Sequence, residues 1–452
     1  MVNVEGLPQE FIAQMRELLG KEADAYFASL SRPRSRAVRI TTAKANPEEV
    51  ARELGLTEQV PFAPQGYYFT GEGVGAHPYH HAGVYYAQEP SAMLPVAAIA
   101  PYLTGNILDL CAAPGGKTTQ IDGLRQKGSV LYANEIVPSR ATVLCSNLER
   151  TGSDAIVTNA SPKDLETAYP AFFNAIVVDA PCSGEGMFRK EDAAVRDWSF
   201  EHVLSCAERQ KEILKSAYCM LKTGGVMVYS TCTLNTVENE GVILDFLSEH
   251  ADMEVLPPPE NLRTLTREGF GLENAMRLFP HEFFGEGHFA CLLKKTGKEE
   301  SPKIKESSPF TPLKQEEKGV NALLVSFGAN LKSRVPLRFK DTVYLVQKGG
   351  VFVKGIRYLR AGIPAVKIEE KRLEPLHGLA LSLRRGECPR TVSFPLGAKE
   401  LTQYLSGNQI TYVAPFTGYG VIAVNGYPLG LVKAVGDQLK NKYPKGLRNG
   451  SV

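Results

Sequence analysis

Two cysteines of this chain fall in short polar loops, each preceded by an apolar, β-branched run: Cys182 in Asp179-Ala-Pro-Cys182-Ser-Gly-Glu-Gly and Cys232 in Tyr229-Ser-Thr-Cys232-Thr. The runs before them predict strands, so each thiol is expected at a strand end. In a parallel α/β sheet the strand ends are where a site is built, and a loop thiol there is available for covalent chemistry in a way that a core thiol is not. Cys145, Cys206, Cys219 and Cys291 fall instead in expected helices or a strand interior, where cysteine serves as a small hydrophobe.

A second constellation lies upstream. Leu108-Asp109-Leu110 is followed by Cys111, Ala112, Ala113, Pro114, Gly115, Gly116 and Lys117, which predicts a strand, a turn of small residues and a helix start. Small residues let a backbone approach a ligand, and the helix N-terminus offers unpaired N–H groups to an anion. The spacing is not that of a P-loop. About 20 residues on, Glu135 closes the next expected strand, where a carboxylate can accept hydrogen bonds from both ribose hydroxyls of a nucleoside. An adenosine-containing cofactor is implied. The cluster His77, His80 and His81 lacks an acidic or thiol partner at ligand spacing, so no metal is expected and a loop beside the site is the better reading.

The elements that must position these groups follow from the pattern of the chain. Between Gly105 and Ser230 strand and helix signals alternate with short connections, which predicts a parallel, doubly wound sheet, and Phe289 to Leu293 could close it antiparallel. Ahead of it, Phe11, Met15, Leu18 and Leu19 recur at helical spacing, followed by Arg32, Arg34, Arg36 and Arg39 and a strand at 37–41. Lys, Glu, Ser and Pro dominate from about Lys294 to Lys318, the composition of a linker. Beyond it come strand-like runs at 343–347, 351–354, 411–415 and 421–424, then a basic ending with Lys433, Lys440, Lys442, Lys445 and Arg448.

With 452 residues, 43% hydrophobic and 22% charged, the chain is globular but too long for one core, so about two to four domains are expected. A net charge of +2 confines any nucleic-acid footprint to local patches such as the arginine cluster and the basic ending. Eight cysteines without CxxC spacing fit reduced thiols in a cytosol, and no run reaches the roughly 20 apolar residues of a bilayer span. A cytoplasmic protein without a membrane role is expected.

These motifs, in this order and on these strands, resemble the NOL1/NOP2/Sun family of S-adenosylmethionine-dependent RNA cytosine-5 methyltransferases. The longer run Cys182-Ser-Gly-Glu-Gly-Met-Phe-Arg189-Lys190, with Gly426-Tyr-Pro-Leu-Gly and Asp437 to Arg448, is similar to its bacterial RsmF-like branch, which acts on 16S ribosomal RNA near the decoding site. The likeness covers nearly the whole chain and is weakest in 297–395. It implies a Rossmann-like class I methyltransferase core with an N-terminal α+β module and a C-terminal PUA-like RNA-binding portion. The divisions expected are 1–95 for the N-terminal module, 96–296 for the methyltransferase domain, 297–318 for a linker, 319–390 for an intermediate module and 391–452 for the PUA-like module.

The resemblance assigns attack on cytosine carbon 6 to Cys232, product release to Cys182 and the N3/N4 edge of the base to Asp179, with Lys117 as a possible further participant. Cofactor contacts are expected from residues 111–117, Glu135, Arg140, Ser161 and Asp179. Relatives often carry an aspartate just past the third strand for the adenine; here Asn159 and Ser161 stand in that region. The expected partner is ribosomal RNA in the small subunit or its precursor, and a monomer is favoured. The rival functions are a tRNA or DNA cytosine methyltransferase and a non-catalytic assembly factor that binds RNA. Deleting residues 319–452 should weaken RNA binding and leave cofactor affinity nearly intact.

Overall fold

The computed structural model describes residues 6–190, 192–298, 302, 304–314, 318–370 and 372–448. The N-terminal part opens with the helix Gln9–Leu19, whose Phe11, Met15 and Leu19 lie one turn apart and are buried. That face packs on residues distant in sequence: the Phe11 ring centroid is 4.8 Å from Phe188 and 5.8 Å from Trp198. A four-stranded antiparallel sheet follows, in the order Gln59–Val60, Ala63–Tyr68, Ala37–Ile40, Tyr85–Ala87.

The central sheet and the helices between its strands are β1 (Asn106–Asp109), α1 (Gly116–Leu124), β2 (Val130–Asn134), α2 (Pro138–Thr151), β3 (Ile156–Thr158), β4 (Phe173–Asp179), α3 (Phe200–Met220), β5 (Leu221–Thr231) and β6 (His288–Lys295). Its order runs Arg267–Gly269, Leu272–Leu278, β6, β5, β4, β1, β2, β3. Strands β5, β4, β1, β2 and β3 pair in parallel, and β6 returns antiparallel against β5. Helices cover both faces, which is why Ile107, Leu108, Ile176, Val177, Met227 and Val228 are all buried with no polar face between them. The chain reverses direction across the sheet between β1 and β4. Their carboxyl ends flank the crevice in which open α/β sheets bind ligands.

The C-terminal part carries two further sheets. One is antiparallel, in the order Thr311–Pro312, Arg334–Phe339, Thr342–Gln347, Ile363–Glu369, Arg372–Pro375; the other runs Thr391–Phe394, Gly418–Val424, Tyr427–Val435, Gln438–Asn441, Ile410–Thr411. The strands expected at 351–354 and 411–415 are loop for most of their length.

Packing redraws two of the expected divisions. Within 297–318, Phe310 is buried, its ring 4.8 Å from Phe352 and 5.2 Å from Phe339, so one aromatic seats a stretch whose composition reads as linker. Within 319–390, strand β7 (Tyr358–Ala361) leaves its neighbours and adds antiparallel to β3, extending the central sheet. The side chain of Arg360 on β7 is buried and donates to Gly362 O and Ser153 O at 2.5 Å each and to Cys145 O at 3.3 Å. Removing 319–452 would therefore remove an edge strand of this sheet together with the basic ending. Among the described residues no helix is long and apolar enough to cross a membrane.

Candidate active site

Strands β4 and β5 are parallel neighbours in register, Asp179 opposite Ser230, so the loops that leave them deliver Cys182 and Cys232 to one place. Their sulfur atoms are 3.4 Å apart and share a hydrogen bond, and both residues are half-buried. The hydrogen bond to Cys232, burial and the nearby Glu238 together push the Cys182 thiol well above the ordinary range. At neutral pH Cys182 keeps its proton.

Two buried carboxylates fasten these loops. Glu238 accepts Ser183 N at 3.0 Å, Gln210 Nε2 at 2.7 Å, Asn235 Nδ2 at 2.8 Å and the Ser183 hydroxyl. Glu185 accepts Leu234 N at 2.9 Å and Asn235 N at 2.7 Å through one oxygen, and Trp198 Nε1 at 3.0 Å through the other. Gly186 N donates to Cys232 O at 2.9 Å, and a Cβ on Gly186 would stand 2.7 Å from that same oxygen, so only glycine lets the two loops touch.

Beside the thiols, Lys117 Nζ lies 2.7 Å from Asp179 Oδ2, and Ser230 Oγ donates to Asp179 Oδ1 at 2.9 Å. Burial pushes Asp179 up, but the Lys117 ammonium, the nearby His288 and the hydrogen bonds from Lys117 and Ser230 together outweigh it and hold the carboxyl below its usual range. Burial likewise opposes the charge on Lys117, and Asp179 more than restores it, leaving that pKa raised. His288, at the start of β6, is buried and neutral, its pKa pushed down to about 3 by burial and by Lys117, with Nε2 4.0 Å from Asp179 Oδ1. Its proximity to the site was not legible in the sequence, because it rests on β6 pairing with β5.

The loop from Cys111 to Lys117 joins β1 to α1. Gly115 has φ +114°, and a Cβ there would approach Leu144 Cδ1 to 3.2 Å. The carbonyls of the loop are held from outside it: Ala113 O by Arg140 Nη2 at 2.9 Å, Pro114 O by Asn147 Nδ2 at 2.8 Å and Gly116 O by Arg39 Nη2 at 3.2 Å. The N–H groups of the first turn of α1 then face the crevice side of the sheet unpaired by the helix itself. Ala112 N donates to Asn134 O at 2.8 Å, and the Cys111 thiol is pushed far up by burial, which makes it a packing group in the turn. Asp109 keeps Oδ1 buried without a hydrogen-bond partner, and burial raises its pKa to about 7.

At the end of β2, Glu135 is buried, accepts Val137 N at 2.9 Å and lies 3.4 Å from Arg140 Nη1. Ile136 next to it is 55% exposed, a large aliphatic face left open at the strand ends. Ser161, expected among the cofactor contacts, caps the helix Pro162–Ala168: its hydroxyl accepts Asp164 N at 3.1 Å and donates to Asp164 Oδ2 at 2.7 Å.

Arg39 is also reassigned. It is 1% exposed and donates to Gln88 Oε1 at 2.7 Å, Thr119 Oγ1 at 2.6 Å and two carbonyls of α1, so it clamps that helix. Arg34 and Arg36 remain exposed and line a cleft with Lys190, Gln88, Glu89 and Glu286. The histidine cluster seats the C-terminal module: His81 Nδ1 is 2.9 Å from Tyr443 OH, and His77 caps the short helix Pro78–His81.

Residues 96–294 match the family model described as 16S rRNA methyltransferase RsmB/F. Residues 7–90 match the N-terminal domain of 16S rRNA methyltransferase RsmF, and 391–449 match the methyltransferase RsmF PUA domain. The chain is 33% identical over 464 residues to the ribosomal RNA small subunit methyltransferase F of an Enterobacter species, covering 97% of this chain and 95% of that one. With the same-named protein of Cronobacter sakazakii it shares 34% identity over 471 residues, covering 98% and 96%. Among solved structures it is similar to a methyltransferase homolog protein from Pyrococcus horikoshii, with a TM-score of 0.55 and 28% identity over 65% of this chain and all of that one. The fold also matches that of NSun6 from Pyrococcus horikoshii with SFG, with a TM-score of 0.57 and 21% identity, over 66% of this chain and all of that one.

Proposed function

The chain belongs to the RsmF family of 16S ribosomal RNA methyltransferases, and from that premise we propose that it methylates carbon 5 of a cytidine in 16S ribosomal RNA, with S-adenosylmethionine as donor and a covalent Cys232 adduct at carbon 6. The observation that carries this reading is the pair of thiols 3.4 Å apart beside the Lys117–Asp179 ion pair.

The residues at the ends of β1 and β2 fit the donor. The Gly115–Gly116 turn and the start of α1 present backbone N–H groups, Asp109 offers a buried acceptor without a partner for an ammonium, and Glu135 supplies the carboxylate for a ribose. Arg140 bridges that carboxylate to Ala113 O, so it would set ribose and loop in one register. When bound, the donor supplies an electrophilic methyl group and leaves as S-adenosylhomocysteine.

Carbon 5 of cytosine is a poor nucleophile until carbon 6 is saturated. The Cys232 thiolate adds there, forming the S–C6 bond while the C5=C6 π pair moves to carbon 5, which then takes the methyl group. The C5–H pair re-forms C5=C6 as the S–C6 pair leaves with the Cys232 sulfur; that sulfur takes the Cys182 thiol proton and the C5 proton replaces it on Cys182. Cys182, a protonated thiol within one hydrogen bond of that sulfur, is assigned to this release step. Asp179, kept ionised by Lys117, accepts from the 4-amino group of the base, which selects cytosine over uracil, and Lys117 offsets charge developing on the ring. The exposed cleft of Arg34, Arg36 and Lys190 would take flanking phosphates.

The adduct assay tests this reading with 16S ribosomal RNA and labelled donor. Cys232→Ala should form no covalent complex, even with RNA carrying 5-fluorocytidine. Cys182→Ala should accumulate a denaturation-resistant protein–RNA band that contains the transferred methyl. An adduct with Cys232→Ala and none with Cys182→Ala would reverse the two roles and favour the mechanism of DNA cytosine enzymes. No methyl transfer by the intact protein to any RNA would leave a binding role in assembly.

A further inference from the structure

Strand β7 comes from a stretch, 295–390, that lies between the matched ranges, and it begins at the carboxyl end of β3, beside the cofactor crevice. It pairs with β3 through Tyr358 opposite Thr158 and Ala361 opposite Ile156, so Arg357 lands next to Asn159, the first residue past β3. Asn159 N donates to Arg357 O at 2.9 Å, and Arg357 Nη1 donates to Asn159 Oδ1 at 3.2 Å. The Asn159 amide nitrogen in turn donates to Glu135 O at 2.7 Å and to Ile136 O at 2.9 Å.

This is a continuous chain of hydrogen bonds from the C-terminal half of the molecule to the residue assigned to the ribose. An amide side chain has one accepting and one donating end. A guanidinium can only donate, so Arg357 fixes which end of Asn159 faces it and turns the donating end onto the β2 terminus. Asn159 stands where relatives often carry an adenine-binding aspartate, and with both ends committed it has little left for a base edge. Its contribution is to hold Glu135 and the open face of Ile136 in place, and that hold depends on Arg357.

We propose that β7 and Arg357 are part of the cofactor site, with Arg357 acting as a positioning residue that orders the ribose and adenine end through Asn159. The proposal rests on the reading of the cofactor given above and adds to it that the C-terminal half of the chain tunes cofactor affinity.

The test uses the full-length protein and S-adenosylhomocysteine as the probe, with calorimetric affinity measured in the absence of RNA. Arg357→Ala should raise the Kd about five- to twentyfold, the scale of one hydrogen bond from a charged donor. The melting temperature and the kcat at saturating S-adenosylmethionine should stay unchanged, while the KM for that donor rises and the KM for RNA does not. Arg357→Lys, which keeps a donor but not its planar fork, should recover part of the affinity. An unchanged Kd in Arg357→Ala overturns the proposal. So does a higher KM for RNA with a flatter salt dependence and no change in Kd, which would make Arg357 a phosphate contact. Failure of the unaltered protein to bind the probe would sink the cofactor reading itself, a different result from either.

Discussion

At the scale of single residues, the Lys117–Asp179 pair is what the two thiols work beside. Asp179 is two-thirds buried in its side chain, and it stays ionised because the Lys117 ammonium stands 2.7 Å away. Replacing Lys117 by methionine keeps the bulk and removes the charge. Burial then acts on Asp179 unopposed by that cation, and its pKa moves up. If the ionised carboxylate is the active form, the acid limb of the kcat/KM profile must shift to higher pH in Lys117→Met, and activity at neutral pH should fall about 100-fold, the scale of losing one preorganised charged partner. A pH–rate profile measured on both proteins checks the sign: an acid limb that stays in place or moves down would remove Asp179 from the group that titrates. Within three residues of the thiols the candidate site was legible in the sequence, since Cys182, Cys232 and Asp179 announce themselves by their strand-end loops. His288 did not, because its place near Asp179 depends on an antiparallel pairing more than fifty residues away.

At the scale of elements, polar side chains from outside hold the active loops in shape. Glu238 ties the Cys182 loop, the Cys232 loop and α3 together with one carboxylate. Glu238→Ala leaves several buried donors without a partner at about 1–3 kcal/mol each. We expect a loss of at least about 3 kcal/mol in urea unfolding, together with loss of the adduct even though both cysteines remain. Arg39 does for α1 what Glu238 does for the thiols. Read as sequence, it belongs with Arg32, Arg34 and Arg36, and nothing local separates them. Strand pleat does: Arg39 sits inside Ala37–Ile40, all of whose residues are buried, and its partners Gln88, Gly116 and Thr119 lie 49 to 80 residues away. The two kinds of arginine should part company in experiment. Arg39→Met should lower stability by about 2–4 kcal/mol, while leaving the salt slope of RNA binding as it is. Arg34→Gln and Arg36→Gln should leave stability within about 0.5 kcal/mol, and each should flatten that slope by about 0.7 to 1. Matching melting curves with salt titrations on the same three variants would expose an arginine assigned to the wrong class.

At the scale of the whole molecule, the sequence and the packing disagree about where the catalytic unit ends. Alternating strand and helix signals make the parallel sheet legible from β1 to β5, because each βα unit is local and each strand is buried on both faces. A strand of four residues contributed from 200 residues further on carries no such signal. Tyr358–Ala361 falls in a stretch expected to form a separate intermediate module, yet Ala361 is fully buried against the catalytic core and Tyr358 OH stands 2.6 Å from Tyr169 OH. Tyr132 OH also receives Val351 N at 2.8 Å, so the face of β2 is closed by the same segment. A chain cut after residue 318 would uncover the edge of β3 and expose Tyr132, Ile156, Tyr169 and Phe172. It would also lose the three backbone carbonyl contacts of Arg360 and the Arg357–Asn159–Glu135 chain of hydrogen bonds. The truncated protein should therefore melt at least about 10 °C below the full chain, given that 1 kcal/mol shifts a domain of this size by about 2–4 °C, and it should bind S-adenosylhomocysteine more weakly. Its exposed β3 edge should also make it prone to associate. Calorimetry and light scattering on residues 1–318 decide the matter: a monodisperse truncated protein with unchanged melting temperature and cofactor affinity would show that β7 merely rests on a catalytic domain complete without it.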